Sequence, residues 1–323
     1  MGIRGLNKYL RTKLPLARKS FQPTRVLYAV DTSCILYRAR GAGLSLPTVI
    51  ASLIVRIRKA GGEPIFVFDG STPAAKTEVV EQRRAVRVAT QKEMATVRAE
   101  LIDRADRPES ERADLEVRLA ALQKKAPSVA GSERDAVKQL LYAAGVLFVT
   151  ANGEADDLLA FLDRRGIVAG VISTDMDMLP RGVGCLITPE TPDCSVLTET
   201  TLVRVCSSIG LPYERFVDAC QLMGSDYTPA GFPTMDPAAA LAAVKRVDFV
   251  LPAELAGATA MLRGDGVLLE ALLSDKQLLR FRAGAPVVEM EKLVEIASRE
   301  SLPRDWLTVL GGGAVRAIPG DSV

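Results

Sequence analysis

Along the chain, five short runs are almost wholly apolar and rich in β-branched side chains: "RVLYAV" (25–30), "PIFVF" (64–68), "VLFV" (146–149), "VAGVIS" (168–173) and "GCLI" (184–187). Runs of this length without polar alternation read as strands buried on both faces. Between them the apolar positions recur at the 3.6-residue period of a helix, over 47–60, 132–144 and 154–165. The alternation predicts an α/β fold, a parallel sheet flanked by helices, in which ligands collect at the carboxyl ends of the strands. The last hundred residues are helical in pattern. "PYERFVDACQLMGSDY" (212–227) is amphipathic, "TPAGFPTMDP" turns into an Ala-rich helix, apolar spacing continues around Trp306, and "GGGAVRAIPGDSV" reads as a frayed tail.

One long insert interrupts the alternation between the second and third runs. Residues 76–125 hold 12 Lys+Arg and 10 Asp+Glu in 50 positions, far above the 25% charged residues of the whole chain. The near end is the more basic, with Lys76, Arg83, Arg84, Arg87 and Lys92 against Glu78 and Glu81. Lys76, Arg83 and Arg87 are spaced to share one helical face. The plain reading is a solvated helical hairpin laced by ion pairs, with "DRPES" (106–110) as its tip. The sharper reading is a basic arch over whatever the strand ends hold.

Those strand ends are acidic. The first run closes on Asp31, the second on Asp69, and the fourth on Asp175 and Asp177; the third leads through Gly153 to Glu154, Asp156 and Asp157 in the first turn of a helix. One strand-end carboxylate is commonly a cap or turn residue. Several on one edge repel each other, and their desolvation is costly unless a cation lies among them.

Composition narrows what that cation is. The chain has 323 residues and no histidine, which removes Ser-His-Asp and Cys-His chemistry and every imidazole-ligated metal. Its five cysteines, at 34, 185, 194, 206 and 220, form no CxxC pair and suggest reduced thiols in an intracellular protein, nuclear or cytoplasmic. An all-oxygen cluster suits a hard divalent ion, Mg²⁺ with Mn²⁺ as a substitute. Two such ions ~4 Å apart can drive phosphodiester cleavage. The net charge of only +2 means that attraction of a polyanion must come from a local patch. No apolar run spans a bilayer, and no secretory h-region precedes the first prolines.

"MGIRGLNKYL" at the N-terminus, "VDTSCILY" around Asp31, "FVFDGSTPAAK" around Asp69, "GEADD", "STDMDML" and "QLMGSDY" around Asp226 occur in an order that resembles the flap endonuclease/XPG family of structure-specific nucleases, over residues 1 to 247. The resemblance implies a PIN-like sheet with a helical arch insertion at 76–130 and a C-terminal helix-two-turn-helix-like region. It implies two Mg²⁺ ions held by Asp31, Asp69, Glu154, Asp156, Asp175, Asp177 and Asp226, with Asp157 as an outer ligand. It places Lys76 and Arg83 at the scissile phosphate, alongside Asp175 and Asp177 as the catalytic set. It further implies DNA contacts at Gly2, Tyr37, Arg84, Arg87 and Gly231, with Tyr37 stacking on a base. The activity expected is a 5′ flap endonuclease or 5′–3′ exonuclease on branched or flapped DNA in replication, repair or recombination.

The chain departs from the family where a Gly-x-Gly turn that grips duplex, often with a potassium ion, is expected: "GFPTMDPAAA" has Gly231 and no second glycine. No sliding-clamp peptide of the QxxLxxFF kind follows, and a monomer is expected. The expected division is a nuclease core over 1–225 and a helical DNA-binding-like region over 226–323. Three rival readings share parts of this pattern. A haloacid-dehalogenase phosphatase, suggested by "FDGST", needs a nucleophile where Val67 stands. A PIN-type ribonuclease acting on RNA shares the acidic edge. A branched-DNA-binding scaffold that does not cut leaves that repulsive edge unexplained.

Overall fold

The computed structural model describes residues 2–15, 18–24, 26–71, 77–103, 109–228, 232–263 and 268–312. A seven-stranded mixed sheet runs through the molecule. Its strands are β1 (Arg18–Ser20), β2 (Leu27–Asp31), β3 (Glu63–Phe68), β4 (Phe148–Thr150), β5 (Val171–Ile172), β6 (Cys185–Pro189) and β7 (Leu197–Thr201), in the order β1-β7-β6-β5-β2-β3-β4. The five strands expected from the apolar runs form its parallel centre, while β7 joins β6 and β1 joins β7 antiparallel. Crossover helices force the parallel pairing; β6 and β7 are close in sequence and return by a short connection.

Side chains alternate across the sheet as the pleat requires. Ala29, Ile65, Val67, Val149, Val171 and Leu186 enter one core; Val30, Phe66, Phe68, Phe148, Ile172 and Ile187 enter the other. Helices cover both faces; in chain order the first nine helices are α1 (Leu6–Lys13), α2 (Thr32–Gly41), α3 (Leu46–Lys59), the insert helices α4 (Thr77–Asp103) and α5 (Glu109–Lys125), whose described residues form no part of either sheet core, α6 (Gly131–Ala143), α7 (Ala155–Arg164), α8 (Leu202–Ile209) and α9 (Tyr213–Met223). After them come α10 (Pro237–Val244), α11 (Ala256–Arg263), α12 (Leu269–Leu272), α13 (Asp275–Ala283), α14 (Met290–Arg299) and α15 (Arg304–Gly311).

Local chemistry starts these helices where the sequence does. Ser45 caps α3 by accepting from the Thr48 amide, and Pro47, whose missing N–H costs nothing there, sits in the first turn. Asp236 caps α10 by accepting from the amides of Ala238 and Ala239, so its carboxylate is committed to the helix. In the insert, α4 and α5 pack along each other around a small core of their own, Val97, Leu115 and Leu122, with an Arg118–Glu93 ion pair at 2.7 Å on the surface. Of the expected tip of this hairpin, 106–110, residues 106–108 lie outside the described residues and 109–110 begin α5; the tail from 313 also lies outside them.

The C-terminal helices are part of the sheet's own core. Leu293, Ile296 and Ala297 of α14 and Leu310 of α15 are buried with Leu53 and Ile57 of α3. A half-buried arginine fastens this junction: Arg58 donates to the carbonyls of Ala144 (2.8 Å), Gly145 (3.2 Å) and Leu310 (2.5 Å) and pairs with Glu63 at 3.0 Å. The Leu310 carbonyl lies at a helix C-terminus, where a cation is favoured.

Candidate active site

The sheet brings Asp31 to the carboxyl end of β2, 3% exposed, and gives both its oxygens a partner. Oδ1 accepts from the Cys34 amide at 3.1 Å, capping α2; Oδ2 accepts from the Ser173 hydroxyl at 2.7 Å. Ser173 follows β5, the neighbour of β2, and its Oγ accepts in turn from the Asp175 amide at 3.0 Å. Asp175 Oδ1 then accepts from the Asp177 amide at 2.9 Å, starting a short 3₁₀ turn, Met176–Met178. Three buried aspartates are thus strung on one hydrogen-bonded thread through Ser173, Asp31 and Asp175 by their carboxylates and Asp177 by its amide.

Asp69, one residue past β3, accepts at Oδ1 from the Ala155 amide at 2.9 Å and ties that strand end to the start of α7. Burial and the charge of Asp69 push the Asp31 carboxyl up to about 6, against the downward pull of its Cys34 and Ser173 bonds. Gly70 must be glycine, because a Cβ there would meet the Ala151 carbonyl oxygen at 1.9 Å. The N-terminal segment closes the site from another side. Gly2 has φ +86°, and a Cβ on it would lie 2.1 Å from Asp175 Oδ1.

A second group forms around Arg181, which sequence reasoning did not single out. Only 1% of it is exposed. Its Nη1 pairs with Asp157, its Nη2 donates to the Tyr227 hydroxyl at 2.7 Å, and Nη2 lies 3.7 Å from Glu154 and 3.9 Å from Asp156. The Tyr227 hydroxyl donates to Glu154 at 2.6 Å. Burial works against the guanidinium charge, but Asp156, Tyr227, Asp157 and Asp177 outweigh it and hold its pKa above the ordinary value. Part of the positive charge that the acidic edge calls for is therefore the chain's own. The sequence clue was an arginine four residues after Asp177, embedded in "MLPRGVGCLI", an otherwise apolar stretch.

The predicted acids thus fall into a Ser173-linked set (Asp31, Asp175, Asp177), a bridging Asp69, an Arg181-held set (Glu154, Asp156, Asp157), and Asp226, half-buried beside Tyr227. Among the described residues no three carboxylates meet around one point as metal ligands do. The donor chemistry nevertheless fits hard divalent ions: every donor is oxygen, and Asp31 carries a repulsion from Asp69 that a bound cation would relieve.

The basic and nucleic-acid residues are less gathered. Arg84 is exposed on α4. The Arg87 guanidinium faces the Tyr37 ring at 6.0 Å, and the Tyr37 hydroxyl accepts from Arg134 at 3.0 Å, so a base could stack on that ring face only if Arg87 moved away. Arg83 belongs to α4, but its side chain, like all of Lys76 and Gly231, lies outside the described residues.

A helix-covered sheet of this order, with acids at the ends of β2, β3 and β5 and at the start of α7, defines a PIN-like α/β protein. Two family models match it, the XPG N-terminal domain over residues 1–90 and the XPG I-region over residues 145–226, together more than half of the chain. The chain belongs to the flap endonuclease/XPG family. It is 27% identical over 251 residues to Flap endonuclease 1 of Glycine max, covering 70% of this chain, and 29% identical over 249 residues to that of Encephalitozoon cuniculi, again 70% of this chain. The match spans 62% of the Glycine max protein and 68% of the other. The fold is similar to the catalytic core of Rad2 in complex with DNA substrate (TM-score 0.59, 18% identity, 96% of this chain and 98% of that one). It is also similar to human GEN1 in complex with Holliday junction DNA (TM-score 0.61, 15% identity, 96% and 77%).

Proposed function

We propose that the chain is a divalent-metal-dependent, structure-specific 5′ nuclease that hydrolyses phosphodiester bonds in branched or flapped DNA. The observation that carries this reading is the thread Asp31–Ser173–Asp175–Asp177 at the carboxyl edge of the sheet, with Asp69 bound to the start of α7 opposite it. Membership of the flap endonuclease/XPG family supports it, as do the DNA complexes of Rad2 and GEN1, whose fold the chain shares. A GEN1 neighbour in complex with product DNA and a Mg²⁺ ion supports magnesium as the metal (TM-score 0.52).

Asp31, Asp69, Glu154, Asp156, Asp175, Asp177 and Asp226 would hold two such ions, with Asp157 outside them. Bound there, the ions supply charge stabilisation of the phosphodiester transition state and an acidified water. The protein's part is to hold the carboxylates in fixed rotamers. Ser173 and the amides of Cys34, Asp177 and Ala155 do this for Asp31, Asp175 and Asp69, so little reorganisation remains when substrate arrives. The absence of a side chain at Gly2 keeps the Asp175 carboxylate uncrowded.

Seven carboxylates exceed the charge of two divalent ions, so the site repels phosphate unless other cations help. Lys76, Arg83 and Arg84, at the start of the insert, are assigned that role, with the α4/α5 hairpin as the arch. Residues 1–225 are read as the nuclease core and 226–323 as the region that contacts duplex. Among the described residues no helix is long and apolar enough to cross a membrane. The test is a 5′-labelled flap substrate incubated with Mg²⁺ or with EDTA: Mg²⁺-dependent release of the flap is expected. An intact flap under both conditions, with DNA bound, would favour the non-cleaving scaffold; cleavage of only the RNA version would favour the ribonuclease.

A further inference from the structure

We propose that Arg181 is a built-in cation of the acidic site: it organises the α7 carboxylates and competes with one divalent ion for them, so the chain has one strong and one weak metal site. The inference rests on reading the acids as a metal centre and adds a residue that the reading does not use.

The geometry gives Arg181 no outward role. It is 1% exposed, bonded to Asp157 and to the Tyr227 hydroxyl, within 3.9 Å of Asp156 and 3.7 Å of Glu154, and its guanidinium carbon is 5.6 Å from the Tyr227 ring centroid. Its backbone is fixed on both sides. The Arg181 amide donates to the Asp177 carbonyl at 3.1 Å, the Pro180 carbonyl accepts from the Tyr213 hydroxyl at 2.7 Å, and Gly182 turns the chain at φ +85°. Its buried Nε has no hydrogen-bond partner among the described residues, so the side chain is held chiefly by carboxylates and Tyr227 at its two terminal nitrogens.

The consequence is unequal treatment of the two acid sets. Asp31 and Asp175 are positioned by Ser173 and backbone amides, so an ion arriving there displaces no side-chain cation from them. Glu154 and Asp156 share their charge with a guanidinium that burial and Tyr227 prevent from swinging into solvent. An ion arriving there must lie near a fixed positive charge, and like charges in a poorly solvated site repel strongly. In metal-free protein the same arginine does useful work by balancing the first turn of α7. Arg181 is thus a positioning residue that acts through the α7 carboxylates.

The test is a Mn²⁺ titration of DNA-free protein followed by EPR of the unbound ion, on wild type, Arg181→Gln and Arg181→Lys. Wild type should show one strong site and one weaker by roughly tenfold or more. Arg181→Gln should tighten the weak site by about that factor, melt earlier than wild type in EDTA, and regain the difference in Mn²⁺. Arg181→Lys keeps the charge and should retain unequal sites. A merely structural arginine would lower the melting temperature equally with and without Mn²⁺ and tighten nothing, and superimposable isotherms for wild type and Arg181→Gln overturn the proposal. Should Arg181→Gln not fold, the wild-type Arg181 Nε–H resonance, identified by its absence from Arg181→Lys, should shift saturably with Mg²⁺ at the weak-site midpoint; no shift at saturation also overturns it. Wild type that binds no Mn²⁺ removes the metal-centre reading itself, whereas two bound ions with no effect of Arg181→Gln remove only the role given to Arg181.

Discussion

The Ser173 hydroxyl donates to Asp31 Oδ2 at 2.7 Å across the β2–β5 pair and accepts from the Asp175 amide at 3.0 Å, so one small side chain sets two acids on adjacent strand ends. A carboxylate held this way still bears its burial cost. The Asp31 pKa, raised to about 6 with burial as its largest cause and Asp69 next, makes that cost depend on pH. A raised folded-state pKa contributes stability below the unfolded value, near 4, and that contribution is lost as pH rises through 6.

In metal-free protein, Asp31→Asn should therefore be more stable than wild type at pH 7.5, by about 1–3 kcal/mol. The gap should close as pH falls towards 4. Urea denaturation in EDTA across this range measures it; a gap that widens on acidification would reverse the sign assigned to Asp31.

Asp177 is 1% exposed and ends the Ser173 thread. Asp177→Asn should slow flap cleavage by roughly 100-fold or more, the scale on which one electrostatic contact to a transition state acts. DNA binding should be unchanged or tighter, because a negative charge leaves the site. Single-turnover rates and a binding titration with the same substrate separate the two effects, and retained Mg²⁺-dependent turnover would remove Asp177 from the metal ligands.

Gly2 offers a probe of the N-terminal segment. A methyl group at Gly2 would lie 2.1 Å from Asp175 Oδ1, and the φ of +86° costs a non-glycine residue about 1–2 kcal/mol. Gly2→Ala should displace residues 2–5 from the site and depress cleavage while thermal unfolding shifts by only a few degrees. A large loss of melting temperature would show instead that the segment is essential to the core.

Arg58 tests the C-terminal junction. Arg58→Met keeps the side chain's bulk but removes one donor to Glu63 and the bonds to the carbonyls of Ala144, Gly145 and Leu310. Leaving buried carbonyls unpaired should cost about 1–3 kcal/mol, which urea denaturation would register directly.

The parallel centre of the sheet and its acidic edge were legible because both follow from local rules. Buried parallel strands are continuous apolar runs, and the acids stand immediately after them. The edge strands were not legible: "RKS" and "LTETT" are short and polar, and become strands only because β6 offers an open edge for β7 and β7 one for β1. Arg181 was missed for a related reason. An arginine beside a proline and a glycine looks like a surface turn, and its burial is decided by α7 and Tyr227, distant in sequence. Apolar spacing around Trp306 pointed to α15 but did not name α3 as the surface it covers, and nothing local in the sequence marked α14 or its packing on α6.

The Arg58 junction also has a meaning in time. A ribosome delivers α3, with its buried face of Leu53, Ile54 and Ile57, more than two hundred residues before it delivers Leu293 and Leu310. Throughout that interval part of the apolar surface of α3 faces water, and Arg58 waits for a carbonyl that has not yet been made. During synthesis this half of the core is therefore completed late, when the helix that carries Leu310 has emerged.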